Sequence, residues 1–359
     1  MAGPLGRTHW SAEVTEPTIA APFVAEWSDT QTASQDEAVD QVPLTATVVI
    51  PTRNRGRMVE ECLRSMMALH HKDLRILVID QSTDDETRAS AEAIAVGDPR
   101  VTIVRSATVG ASVARNLAAE LTTSDIIAFA DDDCAVDPGW LDALLREFRD
   151  PRVVAVYGRV IPPGFTTRNG TEIAFKESLE RTEFSGHVPP WHVGHGASMA
   201  LRRSALAAIG GFDVRLGPGA SFHAAEDLDL AYRLVSSGGR LVYTGAAIAY
   251  HKAWRDWPAR RQIERSYGIG AGAAFMKYLR CGDIYGAKLF ARWTWELGVR
   301  RVGAGLLKWK SVKPMYLGYC QLLYPWLGAF RSLGFSINRR TVVYHDRSRR
   351  RAAGRSAPS

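Results

Sequence analysis

From Thr45 onward, short β-branched apolar runs alternate with segments whose apolar residues recur at helical spacing. Residues 46–50, ATVVI, read as a strand stopped by Pro51, and 56–69, GRMVEECLRSMMAL, as an amphipathic helix. The same alternation predicts strands over 74–80, 101–105 and 126–130, with helices over 84–95 and 110–121. Short connections between alternating strands and helices predict an α/β fold with a mainly parallel sheet flanked by helices on both faces. After the strand-like run at 153–163 the pattern loosens; residues 164–195 mix Gly, Pro, Thr and aromatics, as in a loop or small subdomain able to close over a substrate. Order returns with a strand and short helix in 197–213, a helix from Glu226 to about Gly238, and a strand ending at His251.

Ligands of such sheets sit beyond the carboxyl ends of the strands. That rule gathers Thr52, Arg53 and Asn54, then Asp80, Gln81 and Ser82, then Asp131, Asp132 and Asp133 on one edge. No G-x-G-x-x-G follows the first strand and no G-x-x-x-x-G-K-[ST] occurs, so the usual dinucleotide and P-loop cradles are absent.

Composition adds a division that the pattern does not show. The 359 residues are 46% hydrophobic and 23% charged, which is globular, but residues 252–359 hold 22 Lys and Arg against 5 Asp and Glu. This last third is also aromatic and glycine-rich. The uncharged stretch 315–330 is broken by Pro325 and short for a spanning helix, which needs about 20 apolar residues. It reads as helices lying in a membrane interface, the alternative being a helical cover packed on the catalytic sheet. Residues 1–43, rich in Thr, Ala and acidic residues without period, read as a disordered leader, and 338–359 as a basic disordered tail. No basic segment followed by an apolar core opens the chain, and Cys62, Cys134, Cys281 and Cys320 are widely spaced, so a reducing, cytoplasmic setting is expected.

Three carboxylates in a row repel unless something cationic joins them. Alternate residues of a strand project alike, so Asp131 and Asp133 could share a hard divalent cation, the alternative being an Asp-rich turn. Glu226 and Asp227 open a helix, where carboxylates suit the unpaired N–H groups; one of them could instead serve as a general base. His251 is either a structural hydrogen-bonder or a further metal ligand, and Arg115 either a solvated helix residue or a phosphate contact.

Taken in order, VVIPTRNR, VIDQSTDD, VGASVARNLA, FADDDC, GHGASMALRRSALAAIGGFD, AEDLDLAYRL and the terminal YH resemble the successive motifs of a bacterial family-2 glycosyltransferase with the Rossmann-like GT-A fold. The resemblance runs from Thr45 to His251 and implies a catalytic domain over 44–252, with a nucleotide-sugar half (44–160) and an acceptor half (161–252), followed by a helical, membrane-associated region over 253–337. It implies that Pro51, Thr52, Arg53, Asp80, Arg115, Asp131 and Asp132 bind the nucleotide sugar. By the same resemblance Asp131, Asp133 and His251 hold Mn²⁺ or Mg²⁺, Asp227 is the catalytic base, and Trp191, His195, Gly196 and Glu226 line the acceptor site. The implied reaction is inverting transfer from a nucleotide-diphosphate sugar to a hydroxyl of a glycan or lipid-linked acceptor, in cell-envelope synthesis at the cytoplasmic face of the membrane. The rival readings are a sugar-nucleotide nucleotidyltransferase and a catalytically silent carbohydrate- or lipid-binding scaffold. No recognised nucleic-acid module accompanies the basic third.

Overall fold

The computed structural model describes residues 44–163, 175–252, 256–308 and 310–345. The expected leader over 1–43 lies outside the described residues. Strands β1 (Ala46–Thr52), β2 (Leu74–Asp80), β3 (Val101–Arg105) and β4 (Ile126–Ala130) alternate with helices α1 (Met58–Met67), α2 (Glu86–Ala95) and α3 (Ala111–Leu121). These four strands pair in parallel in the order β3-β2-β1-β4. The sheet continues through β5 (Cys134–Val136), β6 (Val153–Ile161), β7 (Thr182–Phe184), β8 (Ser198–Arg202) and β9 (Arg240–His251), with helices α4 (Trp140–Glu147), α5 (Arg203–Ala208) and α6 (Glu226–Ser236) between them.

The nine strands are ordered β3-β2-β1-β4-β8-β6-β9-β5, with β7 also on β9. Six strands share one direction, while β8, β5 and β7 run against it. The sheet is therefore mostly parallel, with β8 entering antiparallel between β4 and β6. Because Ala130 is registered with Ser198, the loop leading into β8 arrives at the edge where β4 ends.

Burial on both faces explains the unbroken apolar runs. Val48 and Ile50 of β1 pack with α1 and α4, while Val49 points to the opposite layer with residues of α3 and α6. Each such fully buried side chain contributes about 1.5–3 kcal/mol.

The C-terminal third is helical: α7 (Trp257–Arg280), α8 (Tyr285–Trp293), a π-helical turn over Thr294–Val299, α9 (Arg300–Leu307) and α10 (Val312–Ser332). Helix α7 is a cover packed on the catalytic layers, which was the alternative to a membrane-lying helix. Residues 268–274, GIGAGAA, are buried nearly all round. Lys277 of α7 has no exposed surface and its Nζ lies 2.6 Å from Asp213 and 2.7 Å from Asp229 of α6. Asp229 also accepts from Arg233 Nε at 2.8 Å and Tyr278 Oη at 3.0 Å, so the buried charges are matched and hydrogen-bonded.

Helix α10 is different. Its small and polar residues Gly318, Gln321, Pro325 and Gly328 face inward, and Tyr319, Leu323, Trp326, Phe330 and Leu333 are exposed. Among the described residues no helix is long and apolar enough to cross a membrane. Of the tail expected from 338, residues 338–345 are ordered, Ile337–Asn338 (β10) pairing with Val343–Tyr344 (β11), and the remainder lies outside the described residues. Tyr344 is buried and its hydroxyl donates to the Ala273 carbonyl at 2.7 Å. A tyrosine seated in α7 is what the basic composition of this segment concealed.

Candidate active site

The carboxyl edge of the sheet carries three adjoining groups of residues. The first is set by the β1–β2 pairing, which places Thr52 opposite Asp80. Asp80 is buried; its Oδ1 accepts from the Ser82 N–H at 2.9 Å, while Oδ2 is buried without a hydrogen-bond partner among the described residues. An orphaned carboxylate oxygen here is costly unless a ligand hydroxyl or N–H meets it. Asn54, in the left-handed region at φ 52°, donates its N–H to Ser82 Oγ at 2.8 Å and fixes the turn after β1. Pro51 is half-buried within β1 and Arg53 is exposed just past it.

The second group follows β4. Asp131 and Asp132 diverge as the strand ends. Asp132 turns beneath the edge to Arg55, whose Nε lies 3.1 Å away, and burial, partly offset by that guanidinium, pushes its carboxyl up to about 6. Asp131 accepts from Arg115 Nη2 at 3.0 Å. Arg115, expected either in solvent or on a phosphate, is instead buried in α3 and joins two carboxylates, since its Nη1 donates to Glu226 at 2.9 Å. Burial and the neighbouring Asp227 charge push Glu226 up to about 7, against the pull of Arg115. Asp227 is only half-buried, and its Oδ2 accepts the Gly196 N–H at 3.0 Å. A side chain at 196 would crowd this arrangement: a Cβ there would lie 3.3 Å from the Asp227 Cβ and 3.5 Å from Arg115 Nη2.

The third group arises from strand register. Cys134 of β5 pairs with His251 of β9, which brings the His251 Nε2 to 3.4 Å from Asp133 Oδ1. Donor atoms of Asp133, Cys134 and His251 all lie within 4.8 Å of one another, and His251 Nδ1 is buried without a hydrogen-bond partner among the described residues. Cys134 was not singled out from the sequence; only the pairing of residues far apart in the chain brings it here. Oxygen and imidazole donors suit Mn²⁺ or Mg²⁺, so Asp133 and His251 fit such an ion. Asp131 stands apart from this cluster, turned to Arg115.

His195 lies between the second and third groups, close enough to feel the charges of Asp227 and His251, and burial holds its imidazole below the ordinary value. Trp191 is farther out: its Nε1 donates to Glu296 of the π-helical turn at 2.9 Å, and its ring packs edge-on to Trp293. The structure thus brings Asp131, Arg115, Glu226, Asp227 and Gly196 into one contact chain, and ties Trp191 to the helical third.

The family described as Glycosyl transferase family 2 matches residues 47–210. A pre-mycofactocin glycosyltransferase of Mycobacterium tuberculosis is 30% identical over 248 residues, covering 65% of this chain and 48% of that protein. A glucosyl-dolichyl phosphate glucuronosyltransferase of Haloferax volcanii is 23% identical over 224 residues, covering 59% of this chain and 72% of the relative. The chain spans about half the length of the first of these relatives. Among solved structures, a mannosyltransferase of Pyrobaculum calidifontis in complex with GDP-Man and Mn²⁺ superposes with a TM-score of 0.56 at 16% identity, over 82% of this chain and 88% of that one. Residues 47–210 thus carry the match to the Glycosyl transferase family 2 model, and the sheet that holds them has the GT-A fold.

Proposed function

We propose that the protein is an inverting, metal-dependent glycosyltransferase that moves a sugar from a nucleotide-diphosphate sugar to a hydroxyl of a glycan or lipid-linked acceptor. The observation that carries this reading is the convergence of Asp80, Asp133, His251 and the half-buried Asp227 on one sheet edge. In it, Pro51, Thr52, Arg53 and Asp80 receive the nucleotide, and the orphaned Asp80 Oδ2 accepts a donor from base or ribose. Asp133 and His251 are the residues that would hold Mn²⁺ or Mg²⁺, which when bound would neutralise the diphosphate leaving group, and Asp131, held by Arg115, meets the ribose beside them. Arg115 and Asp132 keep the Asp triplet in place through Asp131 and Arg55.

Asp227 acts as the base. Its Oδ2 is oriented by the Gly196 N–H and its Oδ1 by the Leu228 N–H at 2.8 Å, leaving lone pairs to take the proton of an acceptor hydroxyl as it attacks the anomeric carbon. One displacement from the opposite face inverts that centre. His195, Gly196, Glu226 and Trp191 form the acceptor side in this reading. The Mn²⁺ and GDP-Man held by the Pyrobaculum calidifontis mannosyltransferase, and the lipid-linked substrate in the name of the Haloferax volcanii relative, support it.

Work at the cytoplasmic face of an anionic membrane, in cell-envelope polysaccharide or glycolipid synthesis, fits the outward apolar face of α10. Of the described residues over 257–345, none of the acidic side chains is exposed, whereas Lys288, Arg300, Lys308, Lys313 and Arg331 are. The test is a panel of UDP-, GDP- and dTDP-sugars, scored for Mn²⁺-dependent binding and turnover. Wild-type protein should turn over at least one donor, and Asp227→Asn should bind it normally while losing turnover by about a hundredfold or more. Normal turnover by Asp227→Asn would refute the assignment of the base.

A further inference from the structure

We propose that the helical third is a wall of the acceptor half of the site: Gly270 of α7 sets the backbone turn that presents Asp227, and Glu296 sets the loop that presents His195 and Gly196. The functional meaning of this inference rests on the transferase reading above; its geometry rests on contacts alone.

Consider the turn first. Ala225, the residue before α6, has φ 73°, and His223 has φ 61°. Left-handed backbone at a residue with a Cβ is strained and persists only where the surroundings impose it. From the front, the Ala224 carbonyl accepts the Gly217 N–H at 3.1 Å. From behind, α7 closes the space. A Cβ added to Gly270 would lie 2.5 Å from the Ala224 oxygen and 3.0 Å from the Ala225 Cβ. The turn from which Glu226 and Asp227 project is thus pressed between its own loop and the backbone of α7.

The loop is held in a different manner. Glu296 sits in a π-helical turn, a local form that needs a reason to persist. Its Oε2 accepts from Trp191 Nε1 at 2.9 Å and lies 3.0 Å from His192 Nε2, while Oε1 accepts from Arg292 at 2.6 Å. Four residues past His192, the Gly196 N–H reaches Asp227. Both segments that orient Asp227 therefore lean on the C-terminal helices. Thr52 and Asp80 are fixed instead by the β1–β2 register, which separates the donor side from this support. Gly270 and Glu296 are positioning residues: altering them should loosen the acceptor side and spare nucleotide binding.

Hydrogen exchange on the full chain, read by mass spectrometry, tests this without a known acceptor. Gly270→Ala should speed exchange of peptides covering 223–230 by about tenfold or more, and Glu296→Gln should do the same for 190–196. Gly268→Ala is the control. It lies on the same helix but its added Cβ meets Tyr324 and Pro325 of α10, the nearest atom at 2.8 Å. It should lower thermal stability and leave both peptides at wild-type rates. UDP or GDP with Mn²⁺ should bind all three variants as they bind wild type. Wild-type exchange in Gly270→Ala, or equal acceleration in Gly268→Ala, would overturn the proposal. If Gly270→Ala does not fold, Glu296→Gln decides alone, and unchanged exchange at 190–196 overturns it. On a nucleotide sugar that wild type turns over, Gly270→Ala should cut kcat about tenfold with nucleotide affinity unchanged. A wild type inert to every donor would sink the transferase reading, while the exchange result still decides the coupling.

Discussion

Glu226 is the carboxyl at the site whose ionisation falls nearest neutrality. In the folded chain it holds its proton up to about 7, whereas the ordinary value is 4.5. A carboxyl raised on folding stabilises most below its unfolded value, and that contribution is lost as pH rises through the folded value. The thermal midpoint of wild type should therefore decline between about pH 4.5 and 7 by an amount that Glu226→Gln removes. Overlapping curves for the two proteins across that window would exclude the effect. At the third group, His251→Ala should weaken Mn²⁺ binding by about tenfold or more, measured by the EPR signal of the free ion. Thr52, Asp80, the Asp triplet and His251 were legible as a set because each ends or follows a strand, and one topological rule sends such positions to the same edge. Their pairings were not. Nothing in the sequence near Arg115 announces Glu226, and Cys134 is aligned with His251 only by an antiparallel register.

At the scale of elements, three of the first four strands that the periodicity found, β1, β2 and β4, are buried on both faces, where β-branched runs are unavoidable, and only the edge strand β3 is partly exposed. The three-residue β5 and β7 are too short to show a period, and the direction of β8 depends on where its loop enters. Helix α7 was the hardest to read, because its second half, buried nearly all round by Gly and Ala, has no polar face to mark its orientation. Helix α10 shows the converse. Tyr319, Leu323, Trp326, Phe330 and Leu333 recur at spacings of four and three, so they form one exposed apolar stripe, and Lys313 and Arg331 flank it by the helical turn angle. Replacing Trp326 and Phe330 together by Ser should abolish most sedimentation with vesicles containing anionic lipid while leaving the thermal midpoint within a few degrees. Full retention on vesicles would rule out this face as the contact.

For the whole molecule, the decisive interaction is the buried cluster around Lys277. Removing the ammonium leaves the buried Asp213 without its cation and Asp229 with Arg233 alone, and such a loss costs about 3–5 kcal/mol. Lys277→Ala should accordingly shift the urea midpoint strongly downward, and a midpoint equal to wild type would show that the cluster holds nothing together. Its effect should reach both the sheet and the helices, because Asp213 precedes α6 and also accepts the Tyr344 N–H of the last hairpin at 2.9 Å. The cluster also limits how this sequence can be recombined with its relatives. A chimera that borrows another helical third keeps the match only where a lysine again stands at position 277; where it does not, and Asp213 and Asp229 do not travel with their partner, the hybrid will bury unmatched charge at its seam. Swapping acceptor preference by exchanging C-terminal regions is thus a problem of transplanting an ionic lock, with the crossover point chosen upstream of Asp213.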